Sequence, residues 1–188
     1  MGDDFIYGNK FRFQLYGILF FGGVICGTLF LNFRINEHGQ ALIDMVDKYH
    51  MMMRESFKIG IDVYLRILFY RLGISGILIF ISWWNRNFDI FFVFMFVCGI
   101  SFGYTLSLLS FSYGFMGIIC TMVYVFPHGC IYILILLYAL METLSQNQQR
   151  FYMDIRKISV LFLLLCLGCG AESYINPQII KIFLKKFL

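Results

Sequence analysis

The sequence predicts an all-α, polytopic membrane protein of about five transmembrane helices plus an amphipathic loop helix. Three observations predict it. From Ile90 to Met141, 52 residues pass without an Asp, Glu, Lys or Arg. As one helix that stretch would run about 78 Å, against a hydrocarbon core of ~30 Å, so it must fold back on itself. The only polar, glycine-containing break near its middle is Ser110-Phe111-Ser112-Tyr113-Gly114. Second, the chain is 60% hydrophobic and 14% charged, with a mean hydropathy of +0.78. A soluble domain of 188 residues cannot hide that much apolar surface. Third, Phe13 to Phe33 supplies 21 more uncharged residues. They are too long for a signal-peptide core, and no small-residue cleavage site follows them.

One integral membrane domain therefore covers 1–188. The first span is expected at about 13–33, where Gly23 and Gly27 form a small-xxx-small face that admits a second helix closely. A polar loop, 34–62, follows. Its apolar residues include Met45, Tyr49, Met52 and Phe57 at helical spacing, which predicts an amphipathic helix on the membrane or against a partner. The alternative is a helix that covers the protein's own bundle.

The second span is placed at about 64–84. Only 14 uncharged residues separate Arg71 from Arg86, so the span must begin near Tyr64 and carry Arg71 about two turns inside. The third span, about 90–110, has a second close-packing face in Gly99 and Gly103. The fourth, about 115–140, is interrupted by Pro127-His128-Gly129. Proline removes a donor and frees carbonyls, which in lipid must find partners, so the kink should face the bundle interior. The fifth, about 158–176, carries Glu172 and is expected to end at Pro177.

Glu172 is the leading functional candidate, because an acid inside a span marks a site by default. Measured from the expected helix ends, Arg71 and Glu172 share a depth, which suggests an ion pair; the alternative is that each reaches interfacial water separately. His128 falls about 20 Å down the fourth span, and a direct contact with Glu172 is not expected. Cys166 and Cys169 have C-x-x-C spacing but sit in an apolar run, where they read as packing residues. Gly99-Ile100-Ser101-Phe102-Gly103 and Gly73-Ile74-Ser75-Gly76 look like protease serine motifs, yet His128 is the only span histidine to serve as a base. No catalytic residue, metal site or cofactor motif is read. The net charge of +4 is scattered, which argues against nucleic acid and leaves membrane lipids as the partner of Lys181, Lys185 and Lys186. A homo-oligomer is compatible with the glycine faces.

Pro127-His128-Gly129 inside a span, Gly99 to Gly103, and Ala171-Glu172-Ser173-Tyr174-Ile175-Asn176-Pro177 at the last span resemble the stage II sporulation protein M family. The resemblance covers essentially the whole chain. It implies a bacterial membrane protein of endospore engulfment, a non-enzymatic scaffold that localises the peptidoglycan-degrading stage II sporulation proteins D and P. It also implies a cytoplasmic N-terminus and an outside C-terminus. The Lys and Arg counts of 6 inside and 9 outside do not favour that orientation; with Arg66 and Arg71 assigned to the span they become 6 and 7 and decide nothing. The chain departs from the family at Tyr132, where many relatives carry an acid. That departure weakens a two-carboxylate transport site; the alternative function is a small membrane transporter or channel component built on the broken fourth span and Glu172.

Overall fold

The structure, a computed structural model, describes residues 2–55, 60–84, 90–145 and 155–187. Its elements are α1 (Gly2–Glu55), α2 (Ile61–Trp84), α3 (Ile90–Tyr113), α4 (Phe115–Val125), α5 (His128–Ser145), α6 (Ile155–Gly170), a π turn (Ala171–Ile175) and α7 (Asn176–Phe187). No strand occurs among the described residues. Among them, three helical runs are long and apolar enough to cross a membrane: Gln14–Met53, Phe91–Tyr113 and Ile158–Phe187. A fourth is added if the bent pair Phe115–Val125 and His128–Tyr138 counts as one span. Phe21, Phe33, Phe69 and Leu163 each show well over half of their surface. Large apolar side chains turned outward in this number require hydrocarbon around them. Among the described residues the architecture is thus helical, with three to four candidate membrane spans, as in a membrane protein.

Two compact units make up the chain, and each is built on its own close contacts. The first comprises the described residues of 1–46 and 85–118. Here α1 and α3 touch backbone to backbone. A methyl group added at Gly23 would strike the Phe96 carbonyl oxygen, and one at Gly27 the Ile100 carbonyl. From the other side, Gly99 faces the Phe20 carbonyl and Gly103 that of Val24. With no side chain between the helices, dispersion and weak Cα–H···O contacts replace the hydrophobic drive that lipid cannot supply. Tyr16 stacks on Phe92 at 4.7 Å above this seam, and Leu31 and Leu109 are buried beside it. α3 ends in a left-handed residue, Gly114 (φ +61), whose N–H returns to the Ser110 carbonyl at 2.8 Å. Any side chain at Gly114 would be strained, and this cap closes the tight turn into α4.

Within the expected polar segment 34–62, residues 34–55 are helical: α1 continues to Glu55, with non-helical backbone at His38 (φ −135, ψ 21). The segment 34–55 contains no proline, and the single weak point, His38 beside Gly39, kinks the helix without ending it. The helix expected within 34–62 is thus continuous with the first span as far as Glu55.

The second unit comprises the described residues of 47–84 and 119–188. Two breaks shape it. Pro127 separates α4 from α5, and their axes bend by 60°. The other corrects the fifth span. Pro177 does not end it, because the helix runs on to Phe187. The π turn just before Pro177 explains this. Its wider ring is closed by the Asn176 N–H on the Ala171 carbonyl, and it makes room for the pyrrolidine that a regular turn would reject. Pro177 itself is buried in the first turn of α7, with Ile180 and Leu184 on the same inward side.

Candidate functional site

Within the second unit, α2, α5 and the π turn bring charged and polar side chains together among apolar helices. Arg71 and Glu172 form a two-pronged pair: Nη2 donates to Oε1 at 2.8 Å and Nε to Oε2 at 3.2 Å. Their side chains are 33% and 21% exposed. Arg71 is held from α2, where the Ser75 hydroxyl bonds back to the Arg71 carbonyl at 2.8 Å. The planar guanidinium suits this geometry because its fork matches a carboxylate. An isolated charge would be costly here, and the pairing makes the site neutral.

Tyr132 completes the cluster. Its hydroxyl donates to Glu172 Oε2 at 2.6 Å and lies 3.5 Å from the Cys169 sulfur. The Arg71 guanidinium sits 4.7 Å from the centre of the Tyr132 ring, a cation–π contact. Gly168 makes this possible, since a methyl group there would run into the Tyr132 ring. His128, one turn earlier on α5, meets the same ring edge-on at 5.8 Å. Arg71 and Glu172 thus meet directly, while His128 meets the cluster at the Tyr132 ring.

The sequence-based depths misplace His128 relative to Glu172. They take Pro177 as the helix end, which puts Glu172 only about 8 Å deep. With the helix continuing to Phe187, Glu172 lies about 21 Å from either end of the 158–187 run, close to the depth of His128.

The helix break is stitched by its neighbour. Phe126 N–H still reaches the Met122 carbonyl at 2.9 Å, but the Tyr124 carbonyl receives the Asn176 side-chain amide at 3.0 Å. On the same Tyr124, the ring of His50 stacks at 5.9 Å and 17°, with Tyr49 at 6.5 Å. Tyr49, expected to bind a partner, therefore already packs in part on its own chain. Met45 and Met52 remain 71% and 55% exposed, and Phe57 lies outside the described residues. Gly129 faces Val125 across the break. Gly23, Gly27, Gly99 and Gly103 belong to the first unit, where they form the seam between α1 and α3.

Of the two serines in the hydrolase-like motifs, Ser75 spends its hydroxyl on its own helix. Cys166 and Cys169 are not joined, and Cys169 is fully buried. Among the described residues, no three His, Cys, Asp or Glu side chains converge as a metal set would. Sequence reasoning missed Tyr132 and Asn176 as members of the site. The signal was there in spacing: Tyr132 is four residues from His128 and Asn176 four from Glu172, one helical turn in each case. Compared with protein-family models, characterised proteins and solved structures, the chain matches none.

Proposed function

We propose that the chain is a non-enzymatic membrane scaffold of the sporulation engulfment machinery, which localises the peptidoglycan-degrading stage II sporulation proteins D and P at the septal membrane. In this reading it lies in the cell membrane with five spans, about 13–33, 64–84, 90–110, 115–140 and 158–176 extended toward Phe187. The N-terminus is cytoplasmic and the C-terminus outside. The observation that carries the reading is the outward-facing stretch of α1 beyond the first span, where Met45 and Met52, seven residues apart, are both more than half exposed. Methionine's flexible thioether adapts to a partner surface, and exposed apolar patches of this kind are contact sites. The polar cluster supports it as well. Both oxygens of Glu172 are occupied, by Arg71 and Tyr132, so the group fastens helices and offers no free base. The identity of the partners rests on the ordered motifs shared with the stage II sporulation protein M family.

A second reading, a small transporter or channel component, is favoured by the 60° break beside an intramembrane charge pair. One experiment separates the two. The tagged protein is isolated from its host early in sporulation, as the natural sequence and as Met45→Ser/Met52→Ser. The scaffold reading expects peptidoglycan hydrolases with extracytoplasmic domains to copurify, and the double variant to lose them. If the protein comes down alone, or with a nucleotide-binding subunit, the scaffold reading is wrong and transport takes its place.

A further inference from the structure

In the second unit, Tyr64 of α2, Ile131 of α5 and Leu163, Leu167, Gly170 and Tyr174 of the last helical run line an apolar groove of about 630 Å³. Leu163 and Leu167 are more than half exposed, so the groove opens on the hydrocarbon side of the unit. Two rings, Tyr64 and Tyr174, stand together at one end, 6.3 Å apart. Gly170 leaves the groove unfilled: a methyl group there would meet nothing within 4 Å. From Leu163 to Tyr174 the groove follows the helix for 11 residues, about 17 Å. One leaflet of a ~30 Å core is about 15 Å deep. The groove therefore has the length of a single acyl chain.

Beyond the tyrosine end the same helix turns basic. Gln178, Lys181 and Lys185 follow Tyr174 at i+4, i+7 and i+11, which keeps them on its side, while Ile180 and Leu184 are buried. Lys181 stands about 10 Å past Tyr174, and Lys185 one turn further on, exposed. Glu172 is the only acid after Asp154, and both its oxygens are held by Arg71 and Tyr132. The lysines thus have no acid on their own helix to neutralise them. The 30-residue run Ile158–Phe187 is about 45 Å long, more than the core can cover, so its lysine end reaches the headgroup layer. Lysine stems lie along apolar surface there and carry their charge to the phosphates.

We propose that the groove and the lysines beyond it form a site for one anionic phospholipid. One acyl chain lies in the groove over Gly170, the ester region meets the Tyr64–Tyr174 pair, and the phosphate is held by Lys181 and Lys185. Apolar groove, tyrosine pair and cations follow one another along the helix in the order in which a phospholipid is built. A free anion would leave the groove empty, and a lipid without net charge would leave the lysines unmatched. This goes past a general attraction of basic residues to a membrane surface, because it fixes one lipid per chain in one place. The site needs no partner protein, so it stands or falls apart from the scaffold reading.

Native mass spectrometry of the full chain tests it, after release from nanodiscs of equal parts phosphatidylglycerol and phosphatidylcholine. The natural sequence should retain one phosphatidylglycerol per chain in preference to phosphatidylcholine. Lys181→Gln/Lys185→Gln should lower that preference by about thirtyfold, equal to ~2 kcal/mol for two cations at a membrane surface. Gly170→Leu puts a side chain into the groove without a clash, and it should release lipid of either kind while helix content is unchanged. A natural sequence that holds the two lipids equally, or holds neither, overturns the site, and that measurement needs no variant to fold. Phosphatidylglycerol still retained by Gly170→Leu, or an unchanged preference in the lysine variant, overturns it as well.

Discussion

The pairing of Arg71 with Glu172 can be weighed by a double-mutant cycle. Removing one partner of a buried, hydrogen-bonded ion pair costs about 3–5 kcal/mol, because the other charge is stranded. Here the side chains keep 33% and 21% exposure, which points to the low end of that range for Arg71→Gln. Glu172→Gln is milder, about 2 kcal/mol, since the amide oxygen can still accept from Tyr132 or Arg71. Added together the single changes come to about 5 kcal/mol. In the double variant no charge is left unpaired, and two glutamines can share a hydrogen bond; its cost should stay near 2 kcal/mol, leaving a coupling of about 3 kcal/mol. For a chain of this size 1 kcal/mol moves Tm by about 2–4 °C, so the double variant should melt about 6–12 °C above the additive expectation. Thermal unfolding followed by tryptophan fluorescence in lipid nanodiscs reads this directly. Strict additivity would refute the pair as an energetic unit, whatever its distances.

Two further outcomes follow from packing and from the break. Gly99→Ala places a methyl group against the Phe20 carbonyl oxygen and should destabilise by about 1–3 kcal/mol, whereas Gly17→Ala, which meets nothing within 4 Å, should be neutral or gain up to about 1 kcal/mol in helix propensity. Equal melting temperatures for the two variants would deny the backbone contact between α1 and α3. Asn176→Leu strips the Tyr124 carbonyl of its donor and should cost about 1–3 kcal/mol, against less than about 0.5 for Gln178→Leu on the exposed side of α7; a calorimetric comparison in the same lipid decides it.

What could be read from the residues alone divides by the physics involved. The helical class was legible because hydropathy and charge-free length are additive along the chain, as Ile90 to Met141 illustrates. The glycine faces were legible because i, i+4 spacing fixes which residues share a side; that Gly23 lies against Gly99 is a tertiary fact no spacing contains. The Arg71–Glu172 pair was reached from matched depths measured to Pro177, an end the helix does not have, so the partners were named correctly on a depth that does not hold. Tyr132 was not legible, since a tyrosine in an aromatic-rich span carries no mark until the break turns α5 toward Glu172. One boundary was misjudged. At Pro177 an end was expected from the proline, but a proline does not stop a helix whose preceding turn is wide enough to hold it.

That wide turn also sets the phase of everything after it. The inward residues Leu165, Cys169, Ser173, Pro177, Ile180 and Leu184 are all buried, and they follow one stripe for five turns. Five regular turns consume about 18 residues, but this stripe takes 19, so the π turn has absorbed one residue. It acts as a vernier between two halves of one rod. Deleting a single residue from 171–175 would restore regular winding and rotate the remainder by about 100°. Ile180 and Leu184 would swing out of the bundle, and positively charged side chains would swing toward it. Hydropathy would hardly change, yet the last ten residues would present a different face.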